Sequence, residues 1–295
     1  MTEVVQILSR GLGIGSVYAL LALGFVIIYK STRVISFAQP AFMLAGAVLT
    51  CYLVGPVGFF VAVPLAMLGT AMLAWGVERV AIRPMVGRPA FTVAIITLGV
   101  DVIVRVFAGA AIGIDLLQVG DPWGLKPTTL FGVEVQQRHL AMIVTTAILV
   151  AVLFAFFQFT RMGLAMRAAS FDQEAAMAQG VSVGGVFSLS WAIAGALAAV
   201  GGTFAAIGGS VESTLWLIAL VALPVIILGG LDSLPGAVIG GLLVGVVQEL
   251  VAHYQQSLPE WLGGNVSILT PWVLMMVVLL VRPYGLFGTR EVERV

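Results

Sequence analysis

Long stretches of this 295-residue sequence carry no charge at all. No Asp, Glu, Lys or Arg lies between Arg33 and Glu78, and none lies between Glu174 and Glu212. Charged residues make up 9% of the chain and hydrophobic ones 60%, whereas a soluble domain carries roughly 25% charged residues. Water does not tolerate that much apolar surface, so the solvent for most of this protein is lipid. A bilayer leaves the backbone few options, because every N–H and C=O in its core must be paired within the protein.

Apolar runs fall at about 6–29, 36–54, 57–76, 91–110, 140–159, 186–208, 214–230, 235–252 and 267–282. Each approaches the roughly 20 residues a helix needs to cross hydrocarbon. The fold class expected is therefore all-α: a polytopic transmembrane helical bundle of eight or nine spans. Pro and Gly interrupt the runs at 36–54 and 214–252, which predicts short re-entrant or broken segments there. The chain reads as a single transmembrane domain over 1–295, with no interval long enough for a soluble domain. The N-terminal stretch lacks a basic region and its apolar run is too long for a signal peptide, so it is expected to be a retained first span. Cys51 is the sole cysteine, which rules out an internal disulfide. The net charge of zero gives no sign of nucleic-acid binding.

Cytoplasmic loops are enriched in Lys and Arg. Lys30, Arg33, Arg79, Arg83, Arg88, Arg161, Arg167, Arg282, Arg290 and Arg294 all fall in breaks that a nine-span path puts on one side, with the N-terminus outside and the C-terminus in the cytoplasm. The segment 112–139 is then the main external loop. Its Asp121-Pro122-Trp123-Gly124 is a turn signal, Trp123 suits a membrane interface, and Phe131–Val135 suits a strand or an irregular cap. The segment 160–185 is a cytoplasmic loop. Within it Asp172 to Gln179 predicts a short helix, with Gly180 suited to its C-terminal cap. Such a helix needs a surface to pack on, either a soluble partner's groove or the membrane.

The 35 glycines cluster inside the runs at helical spacings, where small residues let helix backbones approach closely. A weak repeat relates Ala22–Ile28 to Ala222–Leu228. Each is followed by a polar break and a Pro that opens another run. Paired interrupted segments of this kind line the pathway in transporters built from repeats. Ser36, Phe37, Gln39 and Pro40 are thus pathway candidates, as are Ser233 and Pro235 beside Asp232; the alternative is that both breaks are ordinary turns between spans. Asp101 and Arg105, four apart on one helix face, can form an intrahelical ion pair. Asp101 joins the pathway candidates because intramembrane charges tend to be functional. Glu249, near an external end, is expected to reach the interface.

Other chemistries find no support. Lys30-Ser31 ends like a phosphate loop, but Tyr29 stands where glycine is required. Gly11, Gly13 and Gly15 lie in an apolar run without the strand of a dinucleotide fingerprint. His139 and His253 are isolated in sequence. Neither a metal set nor a catalytic nucleophile suggests itself.

Three stretches carry a family resemblance: Gly15–Leu20 through Ser36-Phe37-Ala38-Gln39; Met162-Gly163 and Arg167-Ala168 through Asp172 to Gly180; and Gly229–Ala237 with Gly240-Gly241, followed by Arg282–Gly288. In this order, over essentially the whole chain, the sequence resembles the LivH-like permease subunit of branched-chain amino acid type ABC importers. It departs from the family's common Asn-Phe-Ala-His-Gly at Ser36–Pro40, and Asp232 stands where glycine is common. The resemblance implies a non-catalytic subunit of the bacterial inner membrane, paired with a second homologous, LivM-like permease. Two ABC ATPase subunits would bind ATP and Mg on their own chains, and an external substrate-binding protein would deliver the cargo. The implied cargo is a branched-chain amino acid or a related small polar solute. It also implies that 160–185 is the ATPase-coupling loop, with Gly163, Arg167, Ala168, Asp172, Glu174, Ala176 and Gly180 as its contact residues. The rival reading is an ion-coupled secondary transporter, for which Asp101 would be the titrating carboxylate.

Overall fold

The computed structural model describes residues 2–85, 87–113, 117–124, 126–130, 132–255 and 265–288. The first apolar run becomes one continuous helix, α1 (Thr2–Thr32), with Lys30 in its last turn. Every residue from Gly15 to Ile28 in it is buried. It is the axis of the bundle, packed by α5 (Gln137–Phe159), α8 (Val183–Ala206), α10 (Ala222–Gly229) and α11 (Leu234–Tyr254).

A second layer forms where α8 meets α2 (Gln39–Val57) and α3 (Phe59–Val77). The expected interruption of the 36–54 run is absent. Pro40 sits at the start of α2, where the first N–H groups have no intrahelical partner and Pro costs nothing. The 214–230 run does break. Leu217, Ile218, Ala219 and Val221 donate to the carbonyls three residues earlier, a tight winding that runs through α9 (Leu217–Leu220) to its junction with α10. Among the described residues, seven helices are long and apolar enough to span a membrane, and Leu217–Gly229 and Val266–Val281 (α12) are shorter apolar helices. Within the described residues the eight or nine expected spans thus resolve into seven full-length helices and two short ones.

The outer helices α4 (Ala90–Ile112) and α5 keep their large apolar side chains outward, among them Phe91, Phe107, Ile148 and Val152. Such a surface suits lipid. Between them lies an antiparallel hairpin of β1 (Pro127–Leu130) and β2 (Val133–Gln136), with Thr128 opposite Val135. Asp121 Oδ1 accepts from the Trp123 and Gly124 N–H groups, forming the signalled turn. Trp123 is held by aromatic contacts at the ends of two helices. It packs edge-on to Phe59 and stacks on Phe204, with centroids 5.3 and 6.2 Å away.

α1 and α11 touch backbone to backbone. A Cβ at Gly15 would lie 2.8 Å from the Gly241 carbonyl oxygen, and one at Gly11 would lie 2.7 Å from the Val246 Cα. Beside this seam, Arg10 and Glu249 form an ion pair at 4.0 Å.

Candidate functional site

The 160–185 segment is a pair of capped helices. Thr160 opens α6 (Arg161–Phe171) by accepting from the Gly163 N–H at 2.9 Å. Asp172 opens α7 (Gln173–Ala178) by accepting from the Ala175 N–H at 3.0 Å. Gly180, with φ of 82°, lies just beyond α7, and Ser182 then caps α8. The short helix predicted at 172–179 is present. Its longer companion α6 went unpredicted, because small and polar residues hide its period.

Each coupling candidate has a definite place. Gly163 is buried where α6 folds back on α5; a Cβ there would lie 2.7 Å from the Phe157 Cα. Ala176 is buried. Arg167 is half-buried, with its Nε enclosed, while Ala168, Asp172, Glu174 and Gly180 are exposed. Met166 and Ala169 face inward. Outward stand Leu164, Met177 and, at the α6–α7 corner, Phe171, which is 89% exposed. Phe171 was not singled out in the sequence, since only the corner geometry exposes it.

Two hydrogen bonds fasten this pair to α1. Arg33 Nη2 donates to the Ser170 carbonyl at 2.7 Å, and Gln173 Nε2 donates to the Ser31 carbonyl at 2.9 Å. Nearby, Lys30 Nζ donates to the Asp232 carbonyl at 3.0 Å. The basic breaks tied by these contacts gather at one end of the bundle; Arg290 and Arg294 lie outside the described residues.

A charged node sits at the same end. α3 runs into a π-helical turn, Glu78–Ile82, closed by the Arg83 N–H on the Glu78 carbonyl. The Glu78 carboxylate is fully buried. It accepts from Arg83 Nε at 3.2 Å and Nη2 at 3.3 Å, and from the Ser188 hydroxyl. Arg83 Nη2 also donates to the Gly184 carbonyl at 2.7 Å. The node joins α3 to the first turns of α8, directly after α7.

The pathway candidates fall into two groups. Ser36, Gln39 and Pro40 are fully enclosed. Phe37 N–H donates to Thr97 Oγ1 at 3.0 Å, and Gln39 Nε2 donates to the Ala194 carbonyl at 3.1 Å. Asp101, one turn from Thr97 on α4, pairs with Arg105 at 2.6 Å. The Arg105 guanidinium lies 3.9 Å over the Trp216 ring. The first break and Asp101 therefore share the α2–α4–α8 region. Ser233 and Pro235 lie elsewhere: Ser233 caps α11 through the Gly236 N–H at 3.0 Å, and Pro235 stands in its first turn.

A bundle of spanning helices around a buried central helix, with a capped helical pair projecting at one end, is the architecture of a multi-pass membrane permease. The model of the branched-chain amino acid transport system permease component matches residues 7–281, and the chain belongs to that family. It is 27% identical to the high-affinity branched-chain amino acid permease LivH of Salmonella typhimurium, over 98% of this chain and 97% of that protein. It is 28% identical to BraD of Pseudomonas aeruginosa, over 98% of this chain and 97% of that protein. A solved inward-facing ABC transporter of metal-chelate type shares the fold, with a TM-score of 0.53 and 17% identity over 94% of this chain and 88% of that one.

Proposed function

We propose that this permease forms half of the translocation pathway of an ATP-driven importer for branched-chain amino acids or closely related small solutes. It works in the cytoplasmic membrane with its C-terminus inside. A second homologous, LivM-like permease completes the pathway, an external binding protein delivers the cargo, and two partner ATPases bind and hydrolyse ATP with Mg. The relatives' substrates support the cargo, and the gathering of basic breaks at one end supports the orientation.

The α6–α7 pair is the coupling element. The observation that carries this is Phe171, a bare aromatic corner flanked by Leu164 and Met177. Exposed apolar groups of this kind mark partner contacts, and aromatic anchors dominate such interfaces. Gly163, Arg167, Ala168, Asp172, Glu174, Ala176 and Gly180 shape and present that corner. Closure of the ATPase pair would draw the corner inward and shift α8. In this reading the 36–40 and 232–235 breaks, with Asp101, are points where the bundle bends beside the pathway.

The test is purification of the tagged chain in mild detergent from its native host, with every companion protein identified. Two ATPases and a second permease are expected. Isolation of the chain alone, under conditions that preserve known membrane complexes, contradicts the reading.

A further inference from the structure

At the end of the bundle opposite α6 and α7, a cavity of about 280 Å³ lies between α1, α5, the end of α8 and α9. Its walls divide by chemistry. Ile14, Val17, Met142, Ile207 and Ile218 supply aliphatic surface, and Tyr18, Arg138 and His139 supply the polar groups.

Arg138 Nε donates to Gln136 Oε1 at 2.9 Å. That bond fixes the guanidinium plane and leaves its outer N–H groups to another partner. No carboxylate among the described residues lies within 4.0 Å of it. The chain also makes room for this group: Gly208, with φ of 80°, has no side chain where a Cβ would collide with Arg138 Nη1. His139 lines the cavity, with its Nδ1 sealed off from it. The Tyr18 hydroxyl donates to Gln248 Oε1 at 2.9 Å, so its oxygen lone pairs are left to accept.

A forked cation suits a carboxylate. The Tyr18 oxygen in the same wall suits an ammonium group. Aliphatic walls suit a branched hydrocarbon side chain.

We propose that this cavity is a binding site for a branched-chain amino acid on the entrance side of the permease. The carboxylate rests on Arg138, the ammonium faces Tyr18 Oη, and the side chain lies among Ile14, Met142, Ile207 and Ile218. The proposal rests on the cargo reading given above and adds the place where this chain selects it.

The test is uptake of radiolabelled leucine by the complete importer in proteoliposomes, for the wild type and for Arg138→Gln, Arg138→Lys and Met142→Trp. Arg138→Gln is expected to lower leucine uptake about tenfold, the loss that follows removal of a charge-assisted hydrogen bond, and Arg138→Lys to restore part of it. Met142→Trp, which alters no charge, is expected to shift preference from leucine toward alanine by filling the cavity, and it carries the test if Arg138→Gln fails to assemble. Wild-type leucine uptake and selectivity in the assembled variants overturn the site while leaving the cargo reading intact. A phospholipid that co-purifies with the wild type and is lost from Arg138→Gln, with leucine uptake unchanged, assigns the cavity to lipid and also overturns it. Failure of the wild-type importer to carry any branched-chain amino acid overturns the cargo reading and the site together.

Discussion

Arg33 reaches from the end of α1 to the carbonyl of Ser170, 137 residues along the chain, and the two meet at 2.7 Å. Arg33 does this from a left-handed backbone conformation, with φ of 57°, which side-chain-bearing residues seldom adopt. The most buried helix of the bundle is thereby fastened to the projecting helical pair.

Removing that fastening is expected to loosen α6 and α7. Arg33→Ala costs about 1 kcal/mol locally, below the usual range for a hydrogen bond to a charged group, because Arg33 is exposed. Amide exchange over residues 161–178 should rise several-fold while α1 stays protected. Unchanged exchange in that segment means that the Arg33–Ser170 contact does not hold the pair.

Phe171→Ala is expected to lower ATP-driven uptake about tenfold or more, in line with the roughly 2 kcal/mol carried by an aromatic interface anchor. The same change leaves the melting temperature of the isolated permease within about a degree, since a side chain this exposed adds little to folding. A large fall in melting temperature would place Phe171 in the fold instead of at a partner contact. Asp172→Arg removes the α7 cap and should uncouple ATP hydrolysis from transport. Normal transport by that variant argues against α7 as the coupling helix.

Glu78→Ala leaves Arg83 without its buried partner. The expected loss is on the order of 2–3 kcal/mol, below the range for a fully enclosed pair because Arg83 retains some exposure. A Glu78→Met, Arg83→Met double variant should recover much of that loss, since it leaves no half-pair behind. Thermal unfolding of the three proteins in one detergent checks the order: wild type, then double variant, then Glu78→Ala.

Asp101→Asn is expected to weaken the fold and not to change the energy source. Its partner Arg105 keeps the Trp216 ring, a contact worth about 0.5–2 kcal/mol, so the loss is partial. Uptake by this variant should still follow ATP and ignore the proton gradient. Dependence of wild-type uptake on that gradient, lost in Asp101→Asn, favours an ion-coupled carrier.

The apolar runs foretold the long helices because a bilayer leaves the backbone so few alternatives. Pro40 and Pro235 do mark helix starts, and Asp172 and Gly180 do bracket a short helix, since caps are local chemistry. The Asp101–Arg105 pair was legible for the same reason, four residues being one helical turn. The Glu78 node was not, because Ser188 lies 110 residues away and no local pattern brings them together. The packing of Trp123 was not legible on similar grounds: its partners Phe59 and Phe204 come from distant helices. The cavity around Arg138 draws on four elements and has no signature in any one of them.

The glycine seam between α1 and α11 bears on how such a bundle can change shape. Interlocked side chains can slip from one set of rotamers to another and so offer two resting positions. Bare backbones in contact have no rotamers to exchange. The two helices are therefore expected to behave as a single strut, with the hinge displaced to the broken α9–α10 segment, where the winding is already irregular. A cross-link across the seam should leave transport running, and one that splints α9 to α10 should stop it.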